Sequence, residues 1–108
     1  MDRLDKTLQR IDKFNLDRDW NQFHSPENLS KSISIEAAEL LECFQWDENN
    51  YDFEAVKEEL ADVMNYCLQM ALVLKLDPIE IINKKIDKNE KKYPVEKAKG
   101  VSTKYNKL

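Results

Sequence analysis

The chain has 108 residues, of which 42% are hydrophobic, 17 are basic and 21 are acidic, so its formal net charge is −4. A chain of this length forms one domain with a modest core, and association between copies would bury more apolar surface. The acidic balance argues against binding of a nucleic acid polymer by broad phosphate neutralisation. Any phosphate ligand must therefore be held locally, for example through a metal ion.

The two cysteines and the absence of long apolar runs bear on location. Cys43 and Cys67 do not form a CxxC pair and have no histidines at zinc spacing, so we expect two reduced thiols. No stretch has the length of a membrane span, and the charged start MDRLDKTLQR has no apolar signal core. The sequence therefore predicts a cytoplasmic protein with no membrane segment.

Helical periodicity dominates the first half of the chain. With one Gly, three Pro and little β-branched alternation, the class should be all-α. The first predicted helix ends near Trp20 and carries apolar residues at helical spacing: Leu4, Leu8, Ile11 and Phe14. Ser25 and Pro26 supply a cap and a first-turn proline for a second helix through Trp46.

Two further helices are predicted in the second half. Phe53 starts a third helix whose apolar residues keep three- and four-residue steps to Leu74. Asp77, Pro78 and Glu80 provide an N-cap, a first-turn proline and a capping-box acid for a fourth helix. That helix should end near Pro94, so we expect a helical domain at 1–94 and an extended tail at 95–108.

Two acidic pairs are the main chemical signal. Glu36 interrupts an apolar stripe on the second helix, and Glu39 lies one turn further on. Glu59 and Asp62 have the same three-residue spacing on the third helix. Because an unpaired charge is costly to bury, four such carboxylates on two antiparallel helices would be stabilised by a hard divalent cation such as Mg²⁺.

The acidic pairs have two other possible interpretations. A single Glu-x-x-Glu pair is usually a solvated helix face, but two pairs, with Glu36 inside an apolar stripe, make that interpretation weaker. A di-iron carboxylate bundle needs Glu-x-x-His pairs, and the only histidine, His24, lies outside both acidic pairs and is interpreted as a local hydrogen-bond partner. A magnesium site is therefore favoured over an iron site.

Four segments in order, RDWNQFHSPENL, EAAELLECFQW, EELADVMNY and KIDKNEKKYP, resemble the motifs of the MazG-like nucleotide pyrophosphohydrolases. The dCTP pyrophosphatase branch is the most similar, and the resemblance runs from about Leu4 to Tyr105. It implies a four-helix bundle of the MazG-like type, assembled as a homo-dimer or a dimer of dimers. It also implies hydrolysis of a nucleoside triphosphate, with dCTP or a modified dCTP expected, to the monophosphate and pyrophosphate.

The resemblance also implies roles for individual residues. The metal ligands carry over to Glu36, Glu39, Glu59 and Asp62, for Mg²⁺ with Mn²⁺ as a substitute, and Glu39 is our hypothesis for the general base. The expected substrate-binding residues are the nucleobase walls Trp20 and Trp46, the phosphate-binding Lys85 and Lys92, and the polar contacts Tyr66, Asn89 and Tyr93.

Several of these substrate residues also have a structural interpretation. Both tryptophans could be core or interface anchors, Tyr66 could be a packing residue, and the lysines could form a solvated face. Asn89 lies in an apolar stripe and is expected to face inward. Besides the enzyme, a non-catalytic oligomeric helical module remains an alternative, and a metal-buffering bundle is weaker.

Overall fold

The computed structural model describes residues 1–108. Its regular elements are all helical: α1 (Arg3–Asp17), a 3₁₀ turn (Asn21–Phe23), α2 (Pro26–Glu42), α3 (Phe53–Val73), α4 (Pro78–Lys92), α5 (Val95–Ala98) and a second 3₁₀ turn (Tyr105–Lys107). The predicted all-α class is confirmed, and no β-strand forms. A lipid bilayer could not be spanned by any of these helices, because none is both long and apolar enough.

Side-chain caps determine where the helices of the first half begin. Asp2 accepts a hydrogen bond from the Asp5 amide at 2.8 Å, and the Asp5 carboxylate accepts from the Asp2 amide at 3.3 Å. At the start of α2 the predicted cap is confirmed, since Ser25 Oγ accepts from the Asn28 amide at 3.1 Å. These bonds satisfy amides that have no partner within their own helix.

Two helices end earlier than the periodicity predicts. Asp19 adopts a left-handed φ of 54°, so α1 stops at Asp17 and does not reach Trp20. After Glu42 the next amides bond to carbonyls three residues back, as in Cys43 N–H to Leu40 O at 3.2 Å. This tighter turn winds differently from an α-helix, so the predicted extension of α2 to residue 46 is wrong.

The chain forms two compact units, Met1–Lys75 and Leu76–Leu108. Within the first unit, α3 packs against both α2 and α1. Its buried apolar side chains are only Leu29 and Ala71, and its other buried residues are the amides Asn15 and Gln69. Apolar burial in this unit is therefore slight for its size.

The second unit begins with α4. Asp77 Oδ1 accepts from the amides of Ile79 at 2.9 Å and Glu80 at 3.2 Å, which confirms the predicted cap. The capping box does not close, because the Glu80 carboxylate pairs with Lys84 Nζ at 2.6 Å. Every residue of α4 after Pro78 is exposed, so the expected inward position of Asn89 is wrong.

The segment expected to be an extended tail contains α5 and the second 3₁₀ turn. Tyr105, in that turn, packs its ring edge against Tyr93, with ring centroids 6.1 Å apart. The two helical turns give this segment more order than its weak periodicity indicates. The domain division at residues 94 and 95 stays a prediction.

Candidate metal centre

The four predicted carboxylates occupy the helices that pack together in the first unit. Glu36 and Glu39 belong to α2, whereas Glu59 and Asp62 belong to α3. One carboxylate oxygen each from Glu36, Glu59 and Asp62 lies within 4.8 Å of the others. We call these three residues, together with Glu39, the acidic cluster.

The local sequence explains why Glu36 is drawn into this position. Leu29, Ile33 and Leu40 share its helix face; Leu29 is fully buried, and the other two are half-buried against the rest of the unit. Packing of these apolar side chains on α3 carries Glu36 with them, because residues three and four apart lie on one helix face. Glu36 and Glu59 are half-buried in consequence, and Asp62 is exposed.

Two oxygens of the acidic cluster have no hydrogen-bond partner. Glu36 Oε2 and Glu59 Oε2 are both buried, and neither contacts a donor. Buried polar atoms in folded proteins are nearly always paired, and a bare carboxylate oxygen out of water is costly. A cation bound between the two helices would give both oxygens a partner.

The donor set also limits which cation fits. The ligands on offer are carboxylate oxygens, with no thiolate or imidazole among them. Such oxygens suit hard cations such as Mg²⁺, Mn²⁺ or Ca²⁺, whereas Zn²⁺ and Fe²⁺ sites in proteins usually include nitrogen or sulfur ligands. The acidic cluster is therefore suited to a hard divalent ion.

A hydrogen bond with Glu39, followed by burial and mutual repulsion, raises the pKa values of two of these acids. A side-chain hydrogen bond with Glu39, partial burial and the nearby charges of Glu39, Asp62 and Glu59 raise the pKa of Glu36 from 4.5 to about 7. The pKa of Glu59 is also raised, first by a hydrogen bond with Glu39 and then by burial and the charges of Glu39 and Asp62. A cation would oppose these shifts, because it favours the ionised carboxylates.

Glu39 is central to the electrostatics although its oxygens are not among the three closest. It provides the largest influence on the pKa of both Glu36 and Glu59, so its carboxylate faces acids on both helices. Its carbonyl accepts a weak hydrogen bond from Cys43 Sγ at 3.6 Å. Glu39 is thus a half-buried acid beside the candidate metal centre.

The predicted aromatic residues lie in different surroundings. Trp20 contacts Phe14 edge-on, with ring centroids 5.6 Å apart. Trp46, in the connection between α2 and α3, is 89% exposed. Tyr66 is half-buried, one turn after Asp62 on α3. The role of the two tryptophans as walls of a base pocket stays a prediction.

The remaining predicted residues belong to the second unit. Lys85, Asn89 and Lys92 are exposed on α4, with Lys85 and Lys92 each one turn from Asn89. Lys92 Nζ lies 4.7 Å from the centroid of the Tyr105 ring, a cation–π contact. Tyr93 also packs against the Tyr105 ring. Their role in phosphate binding stays a prediction.

The sequence did not lead us to predict a hydrogen-bonded series of side-chain amides that links α1 and α3. Asn15 Nδ2 donates to Gln69 Oε1 at 3.2 Å, and Gln69 Nε2 donates to Asn65 Oδ1 at 3.1 Å. A signal was present, because Asn15 continues the apolar stripe of α1 four residues after Ile11. It is the same kind of signal that singled out Glu36.

His24 also differs from its expected role. Its Nδ1 is buried and has no hydrogen-bond partner, so this atom does not serve as the local hydrogen-bond partner that we expected. The backbone amide of His24 donates to Asn21 O at 3.1 Å and holds the turn before α2. His24 lines a cavity that also includes Asn15 and Gln69, on the side of α1.

The fold is all-α, and two of its helices hold a partly buried cluster of carboxylates between them. The chain is therefore a helical protein with a candidate divalent-metal centre. The chain belongs to the MazG-like family, whose model matches residues 31–108 and therefore includes all four acids of the cluster. A crystal structure of a pyrophosphatase from Archaeoglobus fulgidus superimposes with a TM-score of 0.78 and 38% identity, covering 87% of this chain and 94% of that one. The MazG-like resemblance and fold are thus confirmed.

Two mammalian relatives show the same relationship in sequence. The chain is 34% identical over 105 residues to dCTP pyrophosphatase 1 of Mus musculus, and 35% identical over 106 residues to dCTP pyrophosphatase 1 of Homo sapiens. Each alignment covers 89% of this chain and 62% of the relative. The chain therefore spans less than two thirds of the length of these curated relatives.

Proposed function

We propose that this protein is a Mg²⁺-dependent nucleoside triphosphate pyrophosphohydrolase, with Mn²⁺ able to substitute. Its products would be a nucleoside monophosphate and pyrophosphate. The observation that carries the proposal is the acidic cluster, in which Glu36 and Glu59 each hold a buried oxygen without a partner. Such an arrangement is stabilised by a cation, and an ion held partly by protein carboxylates keeps positions free for substrate phosphates. Membership of the MazG-like family supports the same reaction class.

The residues of the acidic cluster divide the work of the reaction. Glu36, Glu59 and Asp62 would hold the ion through oxygens that lie within 4.8 Å of one another. Glu39 would be a fourth ligand. When bound, Mg²⁺ neutralises charge on the phosphate oxygens and lowers the pKa of water. Glu39, whose carboxylate is not among the three closest in the cluster, would accept the proton of the attacking water as general base.

The bond changes follow from attack at the α-phosphorus. A new bond forms between the water oxygen and the α-phosphorus, and the bond from that phosphorus to the oxygen bridging to the β-phosphate breaks. Pyrophosphate leaves with the bridging oxygen, and the proton passes to Glu39. The monophosphate keeps the oxygen that came from water.

We further propose dCTP or a modified dCTP as the substrate. The names of the mammalian relatives support cytosine, and the aromatic residues offer stacking surfaces for a flat base. Trp20, braced by Phe14, is one proposed wall of the base site, and the exposed Trp46 is the other. Tyr66 is proposed to orient the sugar or a phosphate, since it lies one turn from Asp62 on α3.

Phosphate contacts are assigned to the second unit. Lys85 and Lys92 are proposed to bind phosphate oxygens, with Asn89 and Tyr93 adding polar contacts. The exposure of Lys85 and Asn89 supports this assignment, because both are accessible to a ligand. An exposed ammonium acts on phosphate as a mobile point charge.

We propose that the working protein is a homo-dimer or a homo-tetramer. The first unit buries only two apolar side chains, and it leaves Leu41 71% exposed and Ile35 58% exposed on α2. Large exposed apolar patches on small domains mark interaction surfaces. A non-catalytic module would share this need for partners, but nothing in such a role requires unpartnered carboxylates between two helices.

Nucleotide hydrolysis by matched variants tests the proposal. Pyrophosphate and monophosphate release is measured from a panel of canonical and modified NTPs and dNTPs, with Mg²⁺ and with EDTA. Wild type and Glu48→Gln, whose side chain is exposed in the loop after α2, should release both products only with Mg²⁺. Glu36→Gln should release neither while keeping its helical circular dichroism. No release by folded wild-type protein from any nucleotide would favour the interaction module.

A further inference from the structure

The end of the chain returns to the C-terminal end of α4. After α5, the Val101 amide donates a hydrogen bond to the Ala98 carbonyl at 3.2 Å. Lys99 has φ −61° and ψ 124°, and Gly100 has φ 78°, as in a type II β-turn. Glycine fits the second central position of this turn because it adopts a positive φ without strain. Beyond the turn, Tyr105 packs back on the end of α4.

Tyr105 contacts two residues that are proposed to bind substrate. The Nζ atom of Lys92 lies 4.7 Å from the centroid of the Tyr105 ring. The Tyr93 ring meets the Tyr105 ring edge-on, with an angle of 81° between the two planes. The Tyr93 amide donates to the Asn89 carbonyl at 2.8 Å, so the last turn of α4 anchors this pair of rings. The Tyr105 ring is therefore held beside the Lys92 side chain.

Lys92 keeps its charge at this contact. Lys84, earlier on α4, pairs with the Glu80 carboxylate at 2.6 Å, whereas Lys92 forms no ion pair. The quadrupole of an aromatic face attracts an ammonium but carries no net charge that would neutralise it. Because a lysine ammonium has three N–H donors, contact with one ring leaves donors for phosphate oxygens. Lys92 is therefore restrained and still able to bind an anion.

Restraint of Lys92 before a ligand arrives favours binding of that ligand. A lysine side chain has many rotamers, and fixing it on a ligand costs conformational entropy. A side chain that a ring already holds loses less of this freedom when a phosphate binds. The Tyr105 ring should therefore lower the KM of a substrate whose phosphates contact Lys92, although the ring itself need not touch the substrate.

We propose that Tyr105 is a positioning residue for phosphate binding, whose ring holds the charged Lys92 ammonium at the end of α4. The type II turn at Gly100 brings the ring there, so the segment at 95–108 takes part in substrate binding. This inference rests on the proposed nucleotide hydrolysis, because Lys92 is assigned to phosphate only by that function. It adds to the function a role for the end of the chain.

Steady-state kinetics of Tyr105 variants test the proposal, with Mg²⁺ and the nucleotide that wild type hydrolyses best. Tyr105 is exposed, so Tyr105→Leu should fold. Its KM should rise about twofold to fivefold at unchanged kcat, as for loss of one exposed cation–π contact. Tyr105→Phe keeps the ring and should match wild type. Gly100→Ala should raise KM as Tyr105→Leu does, because alanine is strained at this φ. Asn106→Leu, exposed in the same 3₁₀ turn, is the matched control.

A double-mutant cycle with Lys92→Ala separates positioning from a structural role of Tyr105. Lys92→Ala should raise KM, and adding Tyr105→Leu to it should change KM no further, since there is no ammonium left to hold. If Tyr105 only stabilises the fold, Tyr105→Leu should raise KM equally in both backgrounds. Equal effects in both backgrounds, while wild type hydrolyses nucleotides, would overturn the inference and leave the proposed function standing.

Nuclear magnetic resonance gives a readout that does not depend on turnover. Protons above the face of an aromatic ring resonate upfield, so the ε-methylene protons of Lys92 should be shifted upfield in wild type and in Tyr105→Phe. Tyr105→Leu should return them to the position typical of lysine, and comparison with Lys92→Arg assigns the resonance. No upfield shift in wild type would overturn the inference whatever the kinetics. Absence of hydrolysis by wild type from any nucleotide would instead overturn the proposed function, and with it the assignment of Lys92 to phosphate.

Discussion

Replacing Glu36 with Gln should stabilise the metal-free protein above neutral pH. The folded state raises the pKa of Glu36 to about 7 from 4.5, so it holds a proton that the unfolded chain releases between these values. The free energy of unfolding of wild type must therefore fall as pH rises from about 4.5 through about 7. Glu36→Gln lacks the titrating group and should lose less stability over this range.

The size of the effect follows from the same pKa. For a fully enclosed group the rise would correspond to about 3 kcal/mol. Glu36 is only half-buried, and screening by water reduces its contribution to about 1 kcal/mol. In a domain of this size that amounts to a difference of about 4–8 °C in Tm.

Thermal unfolding in EDTA at about pH 5 and about pH 8 measures this difference, because these values bracket the titration. Glu36→Gln should melt higher than wild type at the upper pH, and the two should converge at the lower pH. Mg²⁺ should then raise the Tm of wild type at the upper pH but not that of the variant. Saturation to a hundred times Kd would add about 2.7 kcal/mol. Glu48→Gln is the control. Equal pH dependence of Tm in wild type and Glu36→Gln would refute the conclusion that the folded state raises the pKa of Glu36.

Three further substitutions have distinct expected outcomes. Asp62→Asn should abolish pyrophosphate release at unchanged helicity by circular dichroism, and activity near wild type would remove Asp62 from the metal ligands. Trp46→Ala should raise KM without lowering kcat, because the side chain is 89% exposed and free to stack on a base; unchanged constants across the nucleotides would exclude it from the base site. Lys85→Ala should raise KM for triphosphates in steady-state assays. Lys84→Ala should not, because Lys84 pairs with Glu80. Equal effects of the two substitutions would mean that only the overall positive charge of α4 matters.

Much of the helical fold could be predicted because its determinants are local. Ser25 and Asp77 are caps whose partners lie two or three residues away, and the structure shows both. The ends of the helices are harder to predict. The end of α2 depends on backbone hydrogen bonds to carbonyls three residues back, and the apolar periodicity does not encode these bonds. The capping box predicted at Glu80 does not form, because the Glu80 carboxylate pairs with Lys84 on the next turn.

The candidate site could be predicted where a residue contradicts its own pattern. Glu36 breaks an apolar stripe, so sequence alone indicates that its carboxylate meets unusual surroundings. Asn15 breaks the stripe of α1 in the same way, but its partner Gln69 is 54 residues distant, and no periodicity links them. The inward position expected for Asn89 was wrong because a stripe on one helix does not say that another helix covers it.

Hydrolysis in water enriched in heavy oxygen tests the central claim most directly. The nucleotide panel is incubated with wild-type protein, with Mg²⁺ and with EDTA, and the products are examined by mass spectrometry. The account predicts one heavy oxygen in the monophosphate, none in pyrophosphate, and no products in EDTA. Label in pyrophosphate, or products that form equally in EDTA, would contradict a metal-dependent attack of water at the α-phosphorus.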